Sequence, residues 1–283
     1  MTFRSFAWEL RFKLQKDRTP NRIVDGVEFT VGTEVMKDIS TSLLFVGFSF
    51  VGKEHAFFFP DELREVAPRA LQRIFLSQAF NEIGSRERTV VDVGSFIGDS
   101  AIYFALRGAR RVVALEPSLE FCQVARVNMD RNGLAGIVEV VNEGAGSPGF
   151  SQQPEDQSNP KATQEALIHR EWAPTAQDGI RINSLRDLIG RFKLDVDAAL
   201  KVNCEGCEYS LIMNATEGDL RHFSEMLIEY HYGSKRLEGK LAGAGFRLSK
   251  AENRLQFNEH FADPRLEVGW LHASRVDSKG QTR

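Results

Sequence analysis

The sequence predicts an α/β protein with a seven-stranded, mostly parallel sheet, helices on both faces of that sheet and a small N-terminal β-rich cap. Three observations predict this fold. From residue 89 onward, short apolar runs alternate with segments of helical periodicity, as in parallel strands joined by crossover helices. The last two runs, 246–249 and 268–274, predict an antiparallel hairpin. Before residue 85 the segments are strand-like and contain a turn signal, which indicates a separate hairpin layer.

The N-terminal region, residues 1–85, is expected to form the β-rich cap and one helix. Asp25-Gly26 is a typical hairpin-turn pair within a strand-like stretch. Six phenylalanines lie in two apolar segments, and we interpret them as core residues, with an apolar lid over a substrate as the alternative. The expected elements are strands over 22–32, 43–51 and 55–59 and a helix over 62–82.

The second region, residues 86–275, is expected to form the large sheet. Its first part alternates three strands with two helices, which is a βαβαβ unit with right-handed crossovers. Ser118 is the expected N-cap of the second helix, and Ser184 with Asp187 has the spacing of a capping box. The predicted strands are 89–93, 111–115, 137–141, 198–202, 225–230, 246–249 and 268–274, and the helices are 100–106, 118–132, 184–192 and 234–244.

Two segments show no periodic pattern. Residues 146–178 begin with a Ser-, Gln- and Pro-rich stretch, which predicts a loop or insertion. Long segments of this kind often act as lids, so we expect it to cover a substrate together with the N-terminal cap. Residues 276–283 are polar and are expected to form a frayed tail.

The composition argues against several classes of protein. The chain has 36 basic and 39 acidic residues, a net charge of -3, and therefore lacks the basic excess of a nucleic-acid binder. Its longest apolar stretch is far shorter than the roughly 20 residues of a membrane span, and no signal peptide is visible. These features predict a cytoplasmic protein without a membrane partner. Aromatic residues in the first 60 positions would suit a homodimer face.

The chain contains three cysteines, Cys122, Cys204 and Cys207. An odd, small number without a signal peptide predicts reduced thiols. Cys204 and Cys207 form a C-x-x-C pair, which is typical of redox-active sites and of half a zinc site. No second C-x-x-C or His pair follows at zinc-finger spacing, so we interpret both as small residues.

The strongest functional signal is the stretch 91–100, Val-Asp-Val-Gly-Ser-Phe-Ile-Gly-Asp-Ser, between the first strand and the first helix of the large sheet. Its glycines permit close approach of a ligand to the backbone. A dinucleotide fingerprint would need Gly at position 96, which is Phe96, and the carboxylates of Asp92 and Asp99 would repel a pyrophosphate. A cationic ligand without phosphate, such as S-adenosylmethionine, suits the two acids better.

Glu116 ends the second strand of this unit, 18 residues after Gly98. A carboxylate in this place can accept hydrogen bonds from both ribose hydroxyls of a nucleoside. The pattern fits NAD and S-adenosylmethionine equally well, and the alternative is an acid that only stabilises the next helix N-terminus.

Four stretches together resemble the class I S-adenosylmethionine-dependent methyltransferases. Asp92-x-Gly94-x-x-x-Gly98 and Glu116-Pro117 are similar to the cofactor motifs of that class. Residues 200–208, Leu-Lys-Val-Asn-Cys-Glu-Gly-Cys-Glu, resemble the K-[ILM]-D-x-E-G-x-E motif of the FkbM-type enzymes, and residues 228–231, Ile-Glu-Tyr-His, resemble their [IV]-E-x-H strand. The resemblance covers residues 70–250 and implies the Rossmann-like methyltransferase sheet.

The FkbM resemblance implies a methyltransferase enzyme that methylates an oxygen of a small-molecule or sugar-containing acceptor. Three alternatives stay open: an RNA or protein methyltransferase of the same fold, an NAD-dependent oxidoreductase, and a non-enzymatic protein that binds the cofactor. Neither the acceptor nor the choice between oxygen and nitrogen follows from the sequence.

The resemblance also implies which residues bind S-adenosylmethionine. Asp92, Gly94 and Gly98 would hold its methionine portion, with Ser95 and Asp99 nearby, and Glu116 its ribose. Asn142 or Glu143 would contact adenine. Asn203 stands where the family usually has Asp. The amide keeps the hydrogen bonding of that position but loses its charge, so we expect no metal site.

The candidate catalytic residues lie in two stretches that follow neighbouring strands of the predicted sheet. Glu205 and Glu208 come after the fourth strand, and His231 comes after the fifth. In open α/β sheets the ligand crevice lies outside these carboxyl ends. If the acceptor is a hydroxyl, His231 is the expected base near neutral pH, and Glu208 is the second candidate. A purely structural His231, packed and hydrogen-bonded below the sheet end, is the alternative.

Overall fold

The computed structural model describes residues 21–24, 27–38, 40–76, 78–146, 179–251 and 268–276. The chain divides into two compact units, residues 1–69 and 70–283. The predicted turn at Asp25-Gly26, nearly all of the predicted 146–178 loop and all but the first residue of the predicted tail lie outside the described residues. The boundary predicted at 85/86 remains a prediction.

The first unit contains a four-stranded antiparallel sheet in the order β1-β2-β3-β4. The predicted hairpin layer is therefore confirmed, with the stretch 22–32 divided between two strands. All six phenylalanines at positions 45–59 are buried, as the core interpretation expects, and Phe45 stacks on Phe58 with ring centroids 5.2 Å apart. The strands are β1 (Asn21–Val24), β2 (Val27–Lys37), β3 (Leu44–Phe50) and β4 (Lys53–Phe59).

The single helix predicted over 62–82 is shorter and interrupted. A 3₁₀ turn, Asp61–Leu63, is followed by the helices α1 (Ala67–Leu76) and α2 (Gln78–Asn81). Pro68 explains the late start of α1, because proline has no backbone N–H and is tolerated only in the first turn of a helix.

The second unit contains the predicted seven-stranded sheet, in the order β12-β13-β11-β10-β5-β6-β7. Its strands are β5 (Thr89–Val93), β6 (Arg111–Leu115), β7 (Val138–Val141), β10 (Ala198–Val202), β11 (Phe223–Tyr230), β12 (Phe246–Ala251) and β13 (Gly269–Arg275). Five neighbouring strands of this sheet, β11, β10, β5, β6 and β7, are parallel to one another. β13 runs antiparallel to both of its neighbours, β11 and β12. The predicted sheet and its final hairpin are confirmed. A short parallel pair, β8 (Gly144–Ala145) and β9 (Ile182–Asn183), lies beside it.

Helices cover both faces of this sheet, as predicted. The helices α3 (Asp99–Leu106) and α4 (Leu119–Arg131) contact β5, β6 and β7. The opposite face of the same strands, with Val91 and Val93, belongs to an apolar cluster that includes Leu188 and Leu211 of the other helices. Those helices are α5 (Leu185–Arg191), α6 (Cys207–Met213), α7 (Glu217–Arg221) and α8 (Lys235–Gly243).

Two predicted helix caps are present. The Ser118 hydroxyl accepts the Phe121 N–H of α4, at 3.3 Å. Ser184 and Asp187 form a capping box at α5, in which the Ser184 N–H donates to the Asp187 carboxylate at 2.9 Å. Local sequence signals therefore fix where these helices begin.

The strand order reverses beside β5. The chain runs outward from β5 to β6 and β7, and then returns to place β10 on the other side of β5. In open α/β sheets such a switch point opens a crevice at the carboxyl ends of the strands, and ligands bind there. The predicted site residues lie at or just after the carboxyl ends of β5, β6, β7, β10 and β11, at this edge.

Candidate active site

Gly94, which follows β5, lies against the loop that follows β10. Its φ of +72° is in the left-handed region, and a Cβ built on it would overlap the Asn203 carbonyl oxygen and lie 3.3 Å from the Cα of Cys204. The Asn203 N–H donates to the Val93 carbonyl at 3.0 Å, which holds the two loops together. Glycine is therefore required at position 94 by the chain itself, in addition to any ligand.

Gly98 precedes α3 and has a φ of +88°. A Cβ at this position would lie 2.7 Å from Cε of Met129 and 3.3 Å from Cβ of Ala125, both in α4. The absence of a Cβ at Gly98 therefore permits close packing of α3 against α4, and the predicted approach of a ligand to this glycine remains a prediction. Asp99 begins α3, and its carboxylate accepts the Ser100 N–H at 2.8 Å.

A buried ion pair joins β5 to β10 under the glycine turn. Asp92 Oδ1 and Lys201 Nζ are 2.8 Å apart, and the exposure of the two side chains is 0% and 3%. The Ser100 hydroxyl donates to Asp92 Oδ2 at 2.6 Å, and Lys201 Nζ donates to the Gly94 carbonyl at 2.9 Å. The role predicted for Asp92, holding the methionine portion, remains a prediction; in the structure its carboxylate fixes the turn from below.

Lys201 is not among the predicted site residues, although the sequence contains a signal for it. It is a charged residue inside the otherwise apolar run 198–202, and it pairs in register with Asp92 on the adjacent strand. A buried charge needs an opposite charge and hydrogen bonds, so two opposite charges in neighbouring buried strands predict an ion pair.

Glu116 follows β6 and ties the end of that strand to the glycine turn. Its Oε2 accepts the Phe96 N–H at 2.9 Å, and its Oε1 accepts the Ser118 N–H at 2.8 Å. Burial raises the pKa of Glu116 to about 7, against the opposing effect of these two hydrogen bonds. Phe96, where a dinucleotide fingerprint has glycine, adopts a φ of +49°. Ribose binding by Glu116 remains a prediction.

The two residues predicted near adenine make contacts within the protein. The Asn142 amide donates to the backbone carbonyls of Glu116, at 3.1 Å, and Pro117, at 2.8 Å. Glu143 forms an ion pair with Arg191 and accepts the Asn183 amide at 2.8 Å, and the hydrogen bond from Arg191 lowers the pKa of Glu143. Asn142 therefore supports the Glu116 backbone, and an adenine contact by either residue remains a prediction.

Two buried polar atoms on neighbouring loops fit a ligand with hydrogen-bonding groups. Ser95 is fully buried and its Oγ has no hydrogen-bond partner, and the same holds for the Oδ1 atom of Asn203. Buried polar atoms are normally paired, so such atoms in a crevice call for a partner. Ser95 lies in the glycine turn and Asn203 follows β10, so their place fits the polar methionine end of S-adenosylmethionine.

The three candidate catalytic residues meet in one hydrogen-bonded group. His231 Nε2 lies 3.1 Å from Glu205 Oε2, and His231 Nδ1 lies 2.9 Å from Glu208 Oε1. Glu208 is fully buried and also accepts the N–H groups of Gly206, at 2.8 Å, and His231, at 3.2 Å. Glu205 is half exposed, with 48% of its side chain accessible. The predicted convergence of residues after β10 and β11 is thus present in the structure.

The protonation of His231 differs from the sequence expectation. Burial alone would lower the pKa of His231, but Glu205 and Glu208 outweigh burial and hold the pKa well above its usual value of 6.5. At neutral pH the ring is therefore an imidazolium that donates from both nitrogens. Such a ring has no lone pair for a substrate proton while both contacts persist, and a catalytic role of His231 remains a prediction.

Cys204 and Cys207 form a disulfide, which corrects the expectation of reduced thiols for this pair. The turn between them passes through Glu205 and Gly206, with φ of +55° and +117°, and brings the two Cα atoms to 5.4 Å. This separation lies in the normal range for a disulfide. Cys122 is a free buried thiol, and burial raises its pKa to about 11.

Two kinds of feature are absent from the described residues. Within the described ranges, no group of three or more His, Cys, Asp or Glu side chains is arranged to hold a metal ion. No helix in the described part of the chain is both long and apolar enough to cross a membrane.

Comparison with known proteins gives one sequence match and several fold matches. No family model matches the chain, so the FkbM assignment is not supported. The chain is 49% identical over 53 residues to the ribosomal protein L11 methyltransferase of Pelotomaculum thermopropionicum. This match covers 19% of the chain and only 17% of that relative.

Solved structures that resemble the chain include three methyltransferases. The L11 methylase of Lactobacillus delbrueckii subsp. bulgaricus has a TM-score of 0.40 at 16% identity and covers 73% of this chain and 77% of its own. A putative RNA methyltransferase of Pyrococcus horikoshii has a TM-score of 0.40 at 13% identity, over 75% and 87%. M. capricolum TrmK, solved with S-adenosylhomocysteine, has a TM-score of 0.43 at 11% identity, over 71% and 67%. Similarity at this level does not identify a substrate.

Proposed function

We propose that the chain is an S-adenosylmethionine-dependent methyltransferase. The observation that carries the proposal is the convergence at the switch point of the sheet. The glycine turn after β5, the carboxylate of Glu116 after β6 and the acid–histidine group after β10 and β11 all lie at the same edge. The sequence match to an L11 methyltransferase supports the same activity.

Different residues of the chain would bind different parts of the cofactor. When bound, the cofactor supplies a methyl group on a positively charged sulfur. Glu116 would accept the ribose hydroxyls, and what supports this role is that each of its oxygens retains a lone pair beyond the backbone N–H it already accepts. Ser95 and Asn203 supply unpaired polar atoms for the methionine end. The Asp92–Lys201 pair fixes the glycine turn beneath them.

We propose further that the acceptor belongs to a protein. The FkbM resemblance implies an oxygen of a small molecule or sugar as the acceptor, with RNA or protein as an alternative. The sequence match is to an enzyme named for a ribosomal protein, which supports the alternative. The carboxylates of Glu205 and Glu208 also disfavour a polyanionic acceptor, because like charges repel the phosphates of RNA.

Calorimetric titration with S-adenosylmethionine tests the cofactor. We expect micromolar binding, which corresponds to about -8 kcal/mol. Glu116→Ala should weaken binding by about 1.5–3 kcal/mol for each charged hydrogen bond lost. Glu217→Ala, an exposed glutamate in α7, is the matched control and should bind as the wild type does. Absence of binding by the folded wild type would overturn the methyltransferase proposal.

Transfer of a labelled methyl group to ribosomes tests the acceptor class. The protein is incubated with methyl-labelled cofactor and undermethylated ribosomes, and the product is divided between protease and ribonuclease digestion. Label that only protease releases supports a protein acceptor. Label released by ribonuclease, or found only in small molecules of a metabolite extract, contradicts it.

A further inference from the structure

Glu116 has a carboxyl group that is buried without a cation. The residue ends its strand with only 7% of its surface exposed. Within the described ranges, no lysine, arginine or histidine forms an ion pair with this carboxyl. Its hydrogen bonds come from two neutral backbone donors, the N–H groups of Phe96, at 2.9 Å, and Ser118, at 2.8 Å. Burial penalises the charged form of a carboxyl, and these two donors offset only part of that penalty.

The charges nearest to Glu116 belong to a pair of their own. Burial has the largest effect on the pKa of Glu116 and raises it, while Lys201 in β10 lowers the pKa and Asp92 in β5 raises it. Asp92 Oδ1 lies 2.8 Å from Lys201 Nζ, and both side chains are buried. Lys201 therefore compensates the charge of Asp92 and leaves that of Glu116 without a direct partner.

The elements on the other sides of Glu116 present uncharged groups to it. The Cys122 thiol of α4 donates to the Glu116 carbonyl at 3.0 Å, and burial raises the pKa of this thiol to about 11, so it stays neutral near neutral pH. The Asn142 amide, after β7, donates to the same carbonyl at 3.1 Å. Arg126 of α4 donates to the Val140 carbonyl, at 3.2 Å. Of the groups named here, Glu116 is the one whose charge changes in the neutral range.

The Glu116 carboxylate has places for two further hydrogen-bond donors. An ionised carboxylate offers about four lone-pair sites, and the N–H groups of Phe96 and Ser118 fill two of them. Two ribose hydroxyls can both donate to the remaining sites when Glu116 is ionised, whereas a protonated carboxyl uses one site for its own proton. Hydrogen bonds to an ionised acceptor are about twice as strong as those to a neutral one. A ligand with two adjacent hydroxyls therefore binds the ionised form more tightly.

We propose that Glu116 is a proton switch for cofactor binding: its carboxyl holds a proton in the ligand-free protein at weakly acidic to neutral pH and releases it when two ribose hydroxyls bind. This inference rests on the methyltransferase function proposed above. The O–H bond of the carboxyl breaks, its proton passes to the buffer, and two O–H···O hydrogen bonds form. A ligand that binds the deprotonated form more tightly gains affinity as the pH rises, so cofactor affinity increases through the neutral range.

Two matched ligands test the switch without requiring turnover. S-adenosylhomocysteine carries both ribose hydroxyls, and its 2′,3′-dideoxy analogue carries neither. Their amino-acid ends are identical, so the titration of those ends cancels in the comparison. We expect the affinity of S-adenosylhomocysteine to rise about tenfold between about pH 6 and pH 8 relative to that of the analogue. Calorimetry in two buffers of different ionisation enthalpy should also show the release of roughly half to one additional proton near pH 6.5.

Variants assign the proton to Glu116. Glu116→Gln cannot titrate, so S-adenosylhomocysteine and the analogue should show the same pH dependence and the same proton release in this variant. Glu217→Gln, at an exposed position of α7, is the matched control and should behave as the wild type does. Infrared difference spectra of the wild type provide a measurement that needs no variant. Binding of S-adenosylhomocysteine near pH 6.5 should remove the C=O band of a protonated carboxyl.

The outcomes separate the two proposals. Binding of S-adenosylhomocysteine without loss of the protonated-carboxyl band overturns the proton switch alone. Affinity that falls as the pH rises relative to the analogue also overturns it, as does additional proton release that persists in Glu116→Gln. Absence of S-adenosylhomocysteine binding by the folded wild type at any pH between about 6 and 8 overturns the proposed function, and the switch with it.

Discussion

Two charged groups at the same sheet edge are built in opposite ways. On the cofactor side, defined here as residues 92–100 with Glu116 and Lys201, Asp92 and Lys201 are buried and pair with each other. On the acceptor side, defined as residues 204–208 and 231–233, a buried Glu208 supports an imidazolium and a half-exposed Glu205. A fully paired, buried group keeps a backbone in shape, whereas a group that includes a half-exposed carboxylate is in contact with solvent.

Removal of one charge from the cofactor side should give the largest effect. Lys201→Met leaves Asp92 as an uncompensated buried carboxylate and should lower the free energy of unfolding by about 3–5 kcal/mol. Denaturant unfolding measures this loss. Asp92→Asn added to Lys201→Met should recover part of it, and Lys235→Met, at an exposed position, should cost little. A loss below about 1 kcal/mol would mean that the pair does not hold the turn.

The next prediction concerns the packing of Gly94, on the cofactor side, against Asn203 and Cys204, where the loop after β10 leads to the acceptor side. Gly94→Ala combines a left-handed φ with a Cβ that would overlap the Asn203 carbonyl oxygen, and should destabilise the protein by about 3 kcal/mol. Gly133→Ala is the matched control, because Gly133 has a similar φ of +68° and nothing within 4 Å of its Cβ position. It should cost only about 1–2 kcal/mol. Equal losses in thermal unfolding would show that the two loops do not pack as described.

Glu116 gives the cofactor side a pH dependence. Burial raises its pKa from 4.5 to about 7, so the folded state binds its proton more tightly than the unfolded chain does. The contribution of Glu116 to stability is therefore largest below pH 4.5, is lost as the pH rises toward 7, and is constant above it. The loss should be on the order of 3 kcal/mol, since one pKa unit corresponds to about 1.4 kcal/mol.

The comparison with Glu116→Gln isolates this effect, because glutamine does not titrate. The difference in unfolding free energy between wild type and variant should shift in favour of the variant between pH 4.5 and pH 8. A constant difference across this range would show that the Glu116 carboxyl is not buried as described. Glu116 would then not differ from Asp92 as described, namely as a buried carboxyl with a raised pKa beside a carboxylate that pairs with Lys201.

The sequence predicted the sheet, the helix caps and the residues that converge at the site, because each depends on local patterns. Apolar runs such as 89–93 define strands, and Ser184 with Asp187 defines a helix start. What the sequence did not predict depends on contacts between distant elements. The protonation of His231 follows from carboxylates on another loop, and C-x-x-C spacing is the same for a disulfide and for two thiols.

Reduction of the disulfide should give the smallest loss of stability among these changes. It should alter the acceptor side and leave the cofactor side unchanged. Opening a four-residue loop should lower the free energy of unfolding by about 2 kcal/mol in the chain-entropy account. It should also loosen Glu205, so the pKa of His231 should fall toward its usual value, since Glu205 raises it. The His231 ring signal in NMR titration reports this shift.

The Cys204→Ser/Cys207→Ser variant should be insensitive to reductant, and cofactor affinity should be the same in both redox states. Loss of cofactor affinity on reduction would show that the acceptor side also shapes the glycine turn, and that the two sides act as one unit.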